Sequence, residues 1–447
     1  MNIVHYSLGF PPYRSGGLTK FCMDLMHQQV IEGNKVSLLW PGRMLLFGGK
    51  AKVKFCGIIE GISSFEVINP TPVPYDEGIH QIALFMNNGD INEYEKFLDN
   101  IEPEVIHIHT LMGLHKNFLE AAKRKSIRIV FSAHDFFPIC PKVTMFREGR
   151  VCDCIDNCIS CDYCNSTALS MWKIRILQSG LYRRMKDNIF IRKIRKSHRD
   201  LYLSEEMLKT KAKDSFKNIS KAKEYMELRS YYNEMLSYMD IIHFNSNVTK
   251  NIYQKYMGWK NSILISITHS DIKDRRRKKV FDSNLRITYL GPQSGSKGYF
   301  FLTKALDKMW THRKNFSLDV YFEPMENKPY IKAHDKYSYE QMNDIFQKTD
   351  VLIAPSICYE TFGYTVLEAL SYGVPVIITK NVGAADILPK DGGIVIEAND
   401  INQLVDALNG LTPERLTYMN KNIINNACIL TVEKMSQLIE HNCYNHI

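Results

Sequence analysis

The stretch Val351–Lys380, VLIAPSICYETFGYTVLEALSYGVPVIITK, places a helical pattern between two apolar runs. The first run, VLIAPS, is short and predicts a buried strand, and PVIITK predicts another. Between them, GYTVLEALSYG predicts a helix that ends at Gly373. Buried strands that alternate with helices are typical of parallel sheets covered on both faces. The stretch therefore predicts an α/β protein.

The same alternation continues on both sides of this stretch. Further strand-like runs are NIVHYSL, KVSLLW, VIHIHT, RIVFSAH and IIHFNS, and later RITYLG, LDVYFE and GIVIEA. The series restarts at Leu285, after a charged segment near 270–284 that predicts a linker or surface loop. A chain of 447 residues is too long for one ordinary core. We therefore predict two domains, 1–258 and 259–430, and an amphipathic helix at about 431–447 that packs back onto the first domain.

The composition narrows the class of protein. No apolar run of about 18 residues is present, so the sequence predicts no transmembrane helix. The N-terminus, MNIVHYSLGF, lacks the pattern of a secretion signal, so we expect a cytoplasmic protein. Eleven cysteines, an odd number, favour reduced thiols. The formal net charge of +9 favours an anionic partner, such as lipid, a phosphorylated substrate or nucleic acid.

An insertion at about 136–238, between two predicted strands, carries a cysteine cluster. Its tight spacings suit a structural zinc site with four thiolate ligands, and free thiols are the alternative. The last three cysteines also resemble part of an iron–sulfur pattern, but the usual downstream Cys-Pro is absent. The cluster consists of Cys140, Cys152, Cys154, Cys158, Cys161 and Cys164.

The same insertion carries a basic stretch at 172–199. From Lys173 to Arg199 there are ten Lys or Arg residues and one acid, Asp187, with apolar residues between them at helical spacing. This pattern is typical of an interfacial helix drawn to anionic lipid. An ordinary solvated helix face is the alternative. No RNA- or DNA-binding module accompanies the stretch, so we expect no nucleic-acid partner.

Two glutamates flank the start of the helix in the opening stretch. Glu360 follows the carboxyl end of a strand, where ligands of open α/β sheets bind, and Glu368 lies one turn into the helix. The free N–H groups of Gly363, Tyr364 and Thr365 favour an anion. The glutamates can accept hydrogen bonds from hydroxyl groups, and the N–H groups can donate to a phosphate. A nucleotide sugar carries both kinds of group. A solvated surface pair is the alternative, and a glycosidase would need its carboxylates on opposite sides of the scissile bond.

The segment PSICYETFGYTVLEALSYGVPVI strongly resembles the E-x7-E signature of family 4 retaining glycosyltransferases of the GT-B fold. Other segments similar to that family are PPYRSGGLTKF, VIHIHT, FSAHDFFPICP, YLGPQSGSKGYFFLTKAL and YEQMNDIFQKTDVLIAPS. The resemblance spans most of the chain. It implies two Rossmann-like domains that face each other across a cleft, with 1–258 on the acceptor side and 259–430 binding the nucleotide sugar.

The resemblance also implies roles for single residues. Glu360 would contact hydroxyls of the transferred sugar, and Glu368 would bind the ribose hydroxyls. Lys297 would neutralise the departing diphosphate, and His134 would hydrogen-bond the donor sugar at the cleft. Close contact between backbone and donor is implied for Gly16, Gly17, Gly291, Phe362, Gly363, Tyr364 and Thr365.

The chain departs from the family pattern in two places. The family usually has an arginine directly after the glycine at position 291, where this chain has Pro292. One cation for the diphosphate is therefore missing or replaced, and Lys304 and Arg14 are candidates. The segment ISITHSDI replaces the family's Pro-Asn-Gly-Val, which makes His269 a candidate for the cleft.

Two other histidines, His107 and His109, share one face of a predicted strand because they are two residues apart. For them we expect packing or a structural hydrogen bond rather than catalysis.

These expectations combine into one function. The chain would transfer a sugar, with retention, from a nucleotide sugar to a saccharide acceptor, without a metal ion or further cofactor. UDP-sugar is the first candidate donor and GDP-sugar the second. The acceptor would be lipid-linked, in capsule or O-antigen synthesis at the inner face of the plasma membrane. The alternatives are a GT-B epimerase or hydrolase and a non-catalytic scaffold that binds sugar or membrane.

Overall fold

A computed structural model describes the chain except for residues 12, 15, 75–77, 153–156, 187, 189–192, 194–218, 259–260 and 446–447. Two mainly parallel sheets with helices around them form the bulk of the described part, as the sequence predicts for an α/β protein. A separate two-stranded hairpin, β7 and β8, lies in the insertion.

The first half of the chain supplies ten strands and eight helices among the described residues. The strands are β1 (Asn2–Tyr6), β2 (Lys35–Pro41), β3 (Lys52–Ile59), β4 (Ile62–Ile68), β5 (Val105–Ile108), β6 (Arg128–Ala133), β7 (Phe146–Arg147), β8 (Arg150–Val151), β9 (Ile241–Phe244) and β10 (Ser262–Leu264). The helices are α1 (Gly17–Ile31), α2 (Ile91–Ile101), α3 (Lys116–Arg124), α4 (Cys161–Cys164), α5 (Met171–Leu177), α6 (Gly180–Met185), α7 (Ile219–Ser237) and α8 (Asn247–Met257).

The second half supplies six strands and six α-helices among the described residues. The strands are β11 (Leu285–Tyr289), β12 (Phe316–Val320), β13 (Ile331–Ala333), β14 (Val351–Ala354), β15 (Val376–Thr379) and β16 (Gly393–Ile396). The helices are α9 (Tyr299–Trp310), α10 (Met342–Lys348), α11 (Tyr364–Ser371), α12 (Ile401–Asn409), α13 (Pro413–Asn426) and α14 (Val432–Ile439). Short 3₁₀ or π turns span Ile82–Met86, Tyr339–Gln341, Gly383–Ile387 and Glu440–Tyr444.

The strand order of each sheet places a crevice at its carboxyl edge. The N-terminal sheet has the order β10-β9-β6-β5-β1-β2-β4-β3, and the C-terminal sheet has the order β13-β12-β11-β14-β15-β16. In the second sheet, β11 lies between β12 and β14, so the loops after β11 and β14 lie side by side where the order reverses. Such switch points are where open α/β sheets bind ligands.

The C-terminal helix packs on the first domain rather than on the second. Met435 and Ile439 of α14 join the same apolar cluster as Phe21 and Leu25 of α1. Tyr444, in the π turn after α14, lies in this cluster as well and is 2% exposed. The N-terminal domain is therefore built from two segments of chain that are separated by the whole second sheet.

The structure differs from the sequence analysis at the edges of the first sheet. β10 pairs with β9 in that sheet, although it lies beyond residue 258, where we ended the first domain. The strands β3 and β4 were not predicted. Most residues of β3 are exposed, so its sequence lacks the apolar run by which buried strands are recognised.

The charged segment near 270–284 has no regular structure but is fixed to the C-terminal domain. Arg276 Nη1 donates to the carbonyl oxygens of Ile423 and Ala427 at 2.9 and 2.8 Å. Lys279 Nζ donates to the carbonyl oxygen of Phe346 at 2.6 Å. Within the described residues, no helix has the length and apolar character needed to cross a membrane.

Candidate functional site

Lys297 and Glu360 meet at the carboxyl edge of the C-terminal sheet. Lys297 lies in the loop after β11 and Glu360 in the loop after β14, and Lys297 Nζ is 3.3 Å from Glu360 Oε1. Ser356 Oγ donates a hydrogen bond to the same carboxylate oxygen. Burial lowers the pKa of Lys297, but the Glu360 carboxylate and, after it, the Cys358 thiol outweigh this effect, so the net pKa is raised. The site therefore holds a fixed cation beside a carboxylate.

Glycines let the two loops approach each other. Gly298 has a φ of +77°, and a Cβ at this position would lie 1.9 Å from the carbonyl oxygen of Pro355. Gly363, directly before α11, has a φ of +108°, and a Cβ there would lie 2.8 Å from Val382 Cγ1. L-residues with side chains rarely adopt these backbone angles. The position of Lys297 against Glu360 thus depends on a glycine beside it.

Glu368 lies on α11 at the edge of a cavity of about 210 Å³. Its carboxylate is 5% exposed, and its Oε1 is 3.2 Å from His269 Nε2. His269 is buried as well, and its Nδ1 has no hydrogen-bond partner among the described residues. Tyr339 also lines the cavity. Asp271 Oδ2 lies 3.8 Å from His269 Nδ1. Two carboxylates and an imidazole nitrogen without a hydrogen bond, beside an open cavity, can bind a ligand that carries hydroxyl groups.

The N-terminal domain faces this site through α1 and the end of β6. Gly16 is exposed and has a φ of +115°, and a Cβ on Gly17, the first residue of α1, would lie 3.1 Å from the Tyr364 ring. His134 directly follows β6, and its ring packs on Phe21 with 4.4 Å between centroids. The two domains therefore meet around the loop that carries Glu360.

A direct hydrogen bond joins the domains beside Glu360. Thr361 Oγ1 donates to the carbonyl oxygen of His134 at 3.2 Å. The carbonyl oxygen of Thr361 in turn accepts from Ser246 Oγ at 2.6 Å and from Thr249 Oγ1 at 3.1 Å. Thr361 is therefore held from both sides by residues of the N-terminal domain.

The remaining predicted residues lie around the same crevice. Gly291 is the second residue after β11, and a Cβ there would lie 2.5 Å from the Tyr289 hydroxyl. The Phe362 ring is buried, so its backbone is the part left for a ligand, and Thr365 is half-buried in the first turn of α11. Pro292 occupies the family's arginine position, and its carbonyl oxygen accepts from Tyr289 at 2.8 Å.

The two candidate replacement cations differ in their surroundings. Lys304 is exposed on α9. Arg14 lies in the loop before α1, and its Nε is buried without a hydrogen-bond partner among the described residues. A buried N–H group without a partner is unfavourable, so Arg14 is the better candidate for an anion.

The cysteine cluster is described only in part, because Cys154 lies outside the described residues. One small cavity, of about 20 Å³, is lined by Cys140, Cys152, Cys161 and Cys164. Burial, followed by the nearby thiols of Cys164 and Cys152, raises the pKa of Cys140 to about 12. Among the described residues, the group with three potential ligand atoms within 4.8 Å is His5, His107 and His109, not a set of cysteines. Structural zinc at the cysteines stays a prediction.

Exposed apolar side chains lie near exposed cations on the N-terminal domain. The loop after β2 has Phe47 at 95% exposure, and α5 has Trp172 at 59%. Arg175 Nη1 donates to the carbonyl oxygen of Leu46 at 3.2 Å, which joins this loop to α5. The apolar patch consists of Leu45, Leu46, Phe47, Trp172, Ile176 and Leu181. Of the basic stretch 172–199, residues 187, 189–192 and 194–199 lie outside the described residues.

Three polar residues at the site were not predicted from the sequence. Ser356, which directly follows the strand before Glu360, carries a signal that was available, because polar residues at strand ends are candidates for the crevice. Thr361 and Tyr339 carry no such signal. Their importance lies in contacts with residues far away in the sequence.

Comparison with known proteins finds a family model that matches about a third of the chain. Residues 271–428, which include Lys297, Glu360 and Glu368, match the family model of glycosyl transferases group 1. Sucrose-phosphate synthase of Spinacia oleracea is 32% identical over 87 residues, 19% of this chain and 8% of that protein. An uncharacterized 42.6 kDa protein in the cps region of Klebsiella pneumoniae is 20% identical over 314 residues, 68% of this chain and 64% of that protein. The chain thus covers less than two thirds of either relative.

Solved structures match nearly the whole chain. Sucrose-phosphate synthase from Thermosynechococcus elongatus aligns with a TM-score of 0.58 at 12% identity, and the alignment covers 98% of this chain and 97% of the synthase. Anabaena HepE in complex with UDP and glucose aligns with a TM-score of 0.54 at 11% identity, and the alignment covers 99% of this chain and 98% of HepE. At such low identity these matches establish the fold alone. The fold is GT-B, and the predicted fold class is confirmed.

Proposed function

We propose that this chain is a retaining glycosyltransferase that moves a sugar from a nucleotide diphosphate sugar to a saccharide acceptor. The observation that carries the proposal is the Lys297–Glu360 pair, 3.3 Å apart at the switch point of the C-terminal sheet. The pair lies within the segment that matches the glycosyl transferases group 1 model. The GT-B fold and the cleft between the domains support the same activity.

Lys297 would stabilise the leaving diphosphate. Negative charge builds on the phosphate oxygen as the bond to the sugar carbon breaks, and a fixed cation there lowers the barrier. The first N–H groups of α11, after Gly363, would bind the same phosphates. Arg14 is our candidate for the cation that Pro292 replaces. The acceptor hydroxyl would attack from the face of the leaving group and pass its proton to the departing phosphate oxygen.

The two glutamates would bind the two sugars of the donor. Glu360 would accept hydrogen bonds from hydroxyls of the transferred sugar while Lys297 and Ser356 hold its orientation. Glu368 would accept from the ribose hydroxyls in the cavity of about 210 Å³ beside it. His269 Nδ1 is buried, forms no hydrogen bond among the described residues and lies 3.8 Å from Asp271 Oδ2, which supports a ligand with hydroxyl groups there. UDP-sugar is our first choice of donor, because HepE was solved with UDP and glucose, and GDP-sugar is the second.

The acceptor is proposed to be lipid-linked, at the inner face of the plasma membrane. The apolar patch and the exposed cations Lys50, Lys173 and Arg184 nearby suit an anionic bilayer surface. Relatives encoded in the cps region of Klebsiella pneumoniae support a role in envelope polysaccharide synthesis. A non-catalytic scaffold is the second candidate, because Pro292 removes one cation from the diphosphate site.

The first test is a thermal-shift panel of UDP-, GDP-, ADP- and dTDP-sugars on the purified chain. We expect one nucleotide to raise the melting temperature, because a ligand that binds the native state stabilises it. Glu368→Ala should abolish the shift, whereas Glu323→Ala, an exposed glutamate of the same domain, should retain it. No shift with any nucleotide on folded protein would contradict a donor site.

The second test separates an enzyme from a scaffold. With the identified donor, Lys297→Ala should lower kcat for sugar transfer or donor hydrolysis by about 100-fold or more, the usual effect of losing one transition-state contact. Lys314→Ala, a C-terminal-domain lysine outside the site, serves as the control. Donor binding without turnover in the wild type, with a range of acceptors, would favour the scaffold.

A further inference from the structure

A continuous chain of hydrogen-bonded side chains runs through the interior of the N-terminal domain. It joins five histidines to a glutamine, a tyrosine and a serine. Except for His134, which is half-buried, each member is at most 2% exposed. In order from the cleft inwards, the members are His134, His109, His5, Gln29, Tyr444, His107, Ser132 and His243.

The deep end of the chain is anchored on the backbone. His243 Nε2 lies 2.8 Å from the carbonyl oxygen of Ile265. A carbonyl can only accept, so a neutral His243 carries its proton on Nε2 and accepts at Nδ1. Ser132 Oγ, 2.6 Å from that Nδ1, must donate to it. The Ser132 oxygen is then the acceptor for His107 Nε2 at 2.7 Å.

The middle of the chain passes through the turn after α14. With its proton on Nε2, His107 accepts at Nδ1 from the Tyr444 hydroxyl, which is 2.7 Å away. The Tyr444 oxygen accepts from Gln29 Nε2 at 3.0 Å. This bond sets the orientation of the Gln29 amide, whose Oε1 then accepts from His5 Nε2 at 2.7 Å.

The outer end of the hydrogen-bonded chain lies where the domains meet, since the half-buried His134 accepts a hydrogen bond from Thr361 of the other domain at its carbonyl oxygen. His5 Nδ1 accepts from His109 Nε2 at 2.9 Å. His109 Nδ1 then accepts from His134 Nε2 at 3.5 Å, the longest link. His134 therefore has its proton on Nε2, and its Nδ1 is an acceptor with no partner in the described part of the chain.

This assignment of one proton to each ring, called the proton order below, requires the five histidines of the hydrogen-bonded series to be neutral. Burial lowers the pKa of His5 to about 4, against the opposing effect of its bond to Gln29. Burial also lowers the pKa of His243 to about 4 and that of His134 to about 3. Burial and then the other histidines lower the pKa of His107 and His109 well below the ordinary value. At neutral pH each ring thus carries one proton.

A metal ion is the rival explanation for the inner histidines, because ring nitrogens of His5, His107 and His109 lie within 4.8 Å of one another. Both ring nitrogens of each of these histidines already have hydrogen-bond partners in the chain. The series of hydrogen-bonded side chains includes no carboxylate, and a fully buried dication without a counter-charge is unfavourable. The geometry therefore favours hydrogen bonds over a metal.

We propose that this chain fixes His134 in the Nε2–H form, so that His134 presents a hydrogen-bond acceptor to the cleft. Ser132 and Tyr444 are then positioning residues that act through His107, His5 and His109. An acceptor nitrogen binds a hydroxyl and repels a phosphate oxygen. Resting on the proposed function, the hydrogen-bonded chain then decides that His134 accepts, rather than donates, the hydrogen bond to its substrate group.

Nuclear magnetic resonance of the full chain, labelled with ¹⁵N in the histidine rings, tests the proton order directly. At pH 7.5 we expect His134, assigned by comparison with His134→Gln, to show a protonated Nε2 and an unprotonated Nδ1. A proton on Nδ1, a doubly protonated ring, or metal-bound nitrogens at the inner histidines would overturn the proposal.

A remote substitution gives the sharper test. Ser132→Ala removes the link between His107 and the anchored end. Without Ser132, the N–H group at His107 Nε2 would have no acceptor. If donor and acceptor exchange roles in every hydrogen bond between His107 and His134, only a lone pair of His107 Nε2 is left without a partner, which costs less. We expect His134 to move its proton to Nδ1 in Ser132→Ala, and Ser132→Thr, which keeps the hydroxyl, to retain Nε2–H. An unchanged His134 in folded Ser132→Ala would overturn the proposal.

A second break in the chain covers the case in which Ser132→Ala does not fold. Tyr444→Phe interrupts the chain between His107 and Gln29, and we expect a mixture of both ring forms at His134. The matched control is Tyr232→Phe, which removes an equally buried hydroxyl that donates to the carbonyl oxygen of Phe85 at 3.1 Å, outside the chain. The same His134 signals in both variants would overturn the proposal.

Kinetics connect the proton order with the proposed function. Ser132→Ala should lower kcat/KM for the nucleotide sugar roughly tenfold, the effect of one lost hydrogen bond, and Ser132→Thr should restore it. If no sugar is transferred but His134 shows the Nε2–H form, the proposed function fails and the proton order stands. A tenfold loss in Ser132→Ala without a change at His134 would instead overturn the positioning role.

Discussion

Gly298 shows how much the site depends on a single position. Its left-handed backbone turns the chain directly after Lys297, and its Cα lies against the loop that carries Glu360. The side chain of any other residue would have to push the carbonyl group of Pro355 away. The contact between Lys297 and Glu360 would then be lost together with part of the fold.

We predict that Gly298→Ala destabilises the protein by about 2–4 kcal/mol, because it adds both an overlap and an unfavourable backbone angle. Gly295→Ala, three residues earlier in the same loop, has no atom within 4 Å of its added Cβ, and we expect a change below about 0.5 kcal/mol. Urea unfolding followed by circular dichroism measures both. Equal stabilities would contradict the close approach of the two loops.

The catalytic candidates were more accessible to sequence reasoning than their neighbours were. Glu360 and Lys297 follow adjacent strands, so strand order alone brings them together once a parallel sheet is predicted. Thr361, by contrast, gains its importance from hydrogen bonds with His134, Ser246 and Thr249 of the other domain. Such contacts depend on how the domains pack, which the pattern along one chain does not reveal.

Among the elements, α5 and the loop after β2 present the most unusual surface. Phe47 and Trp172 are large apolar side chains exposed to water, and exposed cations lie nearby in the sequence. Inserting them into a bilayer would remove apolar area from water, and anionic lipid would attract the cations around them.

We predict that the double variant Phe47→Ser/Trp172→Ser binds vesicles containing phosphatidylglycerol at least tenfold more weakly, since each side chain contributes about 1–3 kcal/mol when buried. The control is Val395→Ser, an exposed residue of β16 in the other domain. Co-sedimentation at low and high salt measures binding. Equal binding of the double variant and the control would rule out this patch as the membrane contact.

For the whole molecule, buried neutral histidines make stability depend on pH. Unfolding returns each of them to water, where its pKa is near 6.5. Below that pH the unfolded chain takes up protons that the folded chain does not bind, so stability is lost as the pH falls from about 6.5 to about 4. The histidines with lowered pKa are His5, His107, His109, His115, His134 and His243.

We predict a loss of roughly 1 kcal/mol for each of these histidines between pH 7.5 and pH 5.5. Burial raises the pKa of Asp135 to about 6, which acts in the opposite direction but is one group against six. Urea midpoints at the two pH values measure the difference. A stability that does not change over this range would mean that the histidines are accessible to protons in the folded state.

The overall architecture was predictable to the extent that it repeats a local pattern. The alternation of buried strands with helices gave both sheets, and the restart at Leu285 coincides with the start of β11. β3 was missed because it is mostly exposed. For His107 and His109 we expected packing or hydrogen bonds. We did not expect a series of hydrogen bonds that passes through Tyr444, which is 337 residues away from His107.

Tyr444 also bears on the order in which the domains can form during synthesis. The ribosome makes β1 and β5 first, but the hydroxyl that joins His107 to Gln29 follows the entire second domain in the sequence. Until then the nascent first domain holds buried polar groups that lack a partner and an apolar face of α1 that lacks α14. The usual order of folding, N-terminal domain first, can thus reach only an incomplete state, which would need protection from aggregation until translation passes α14.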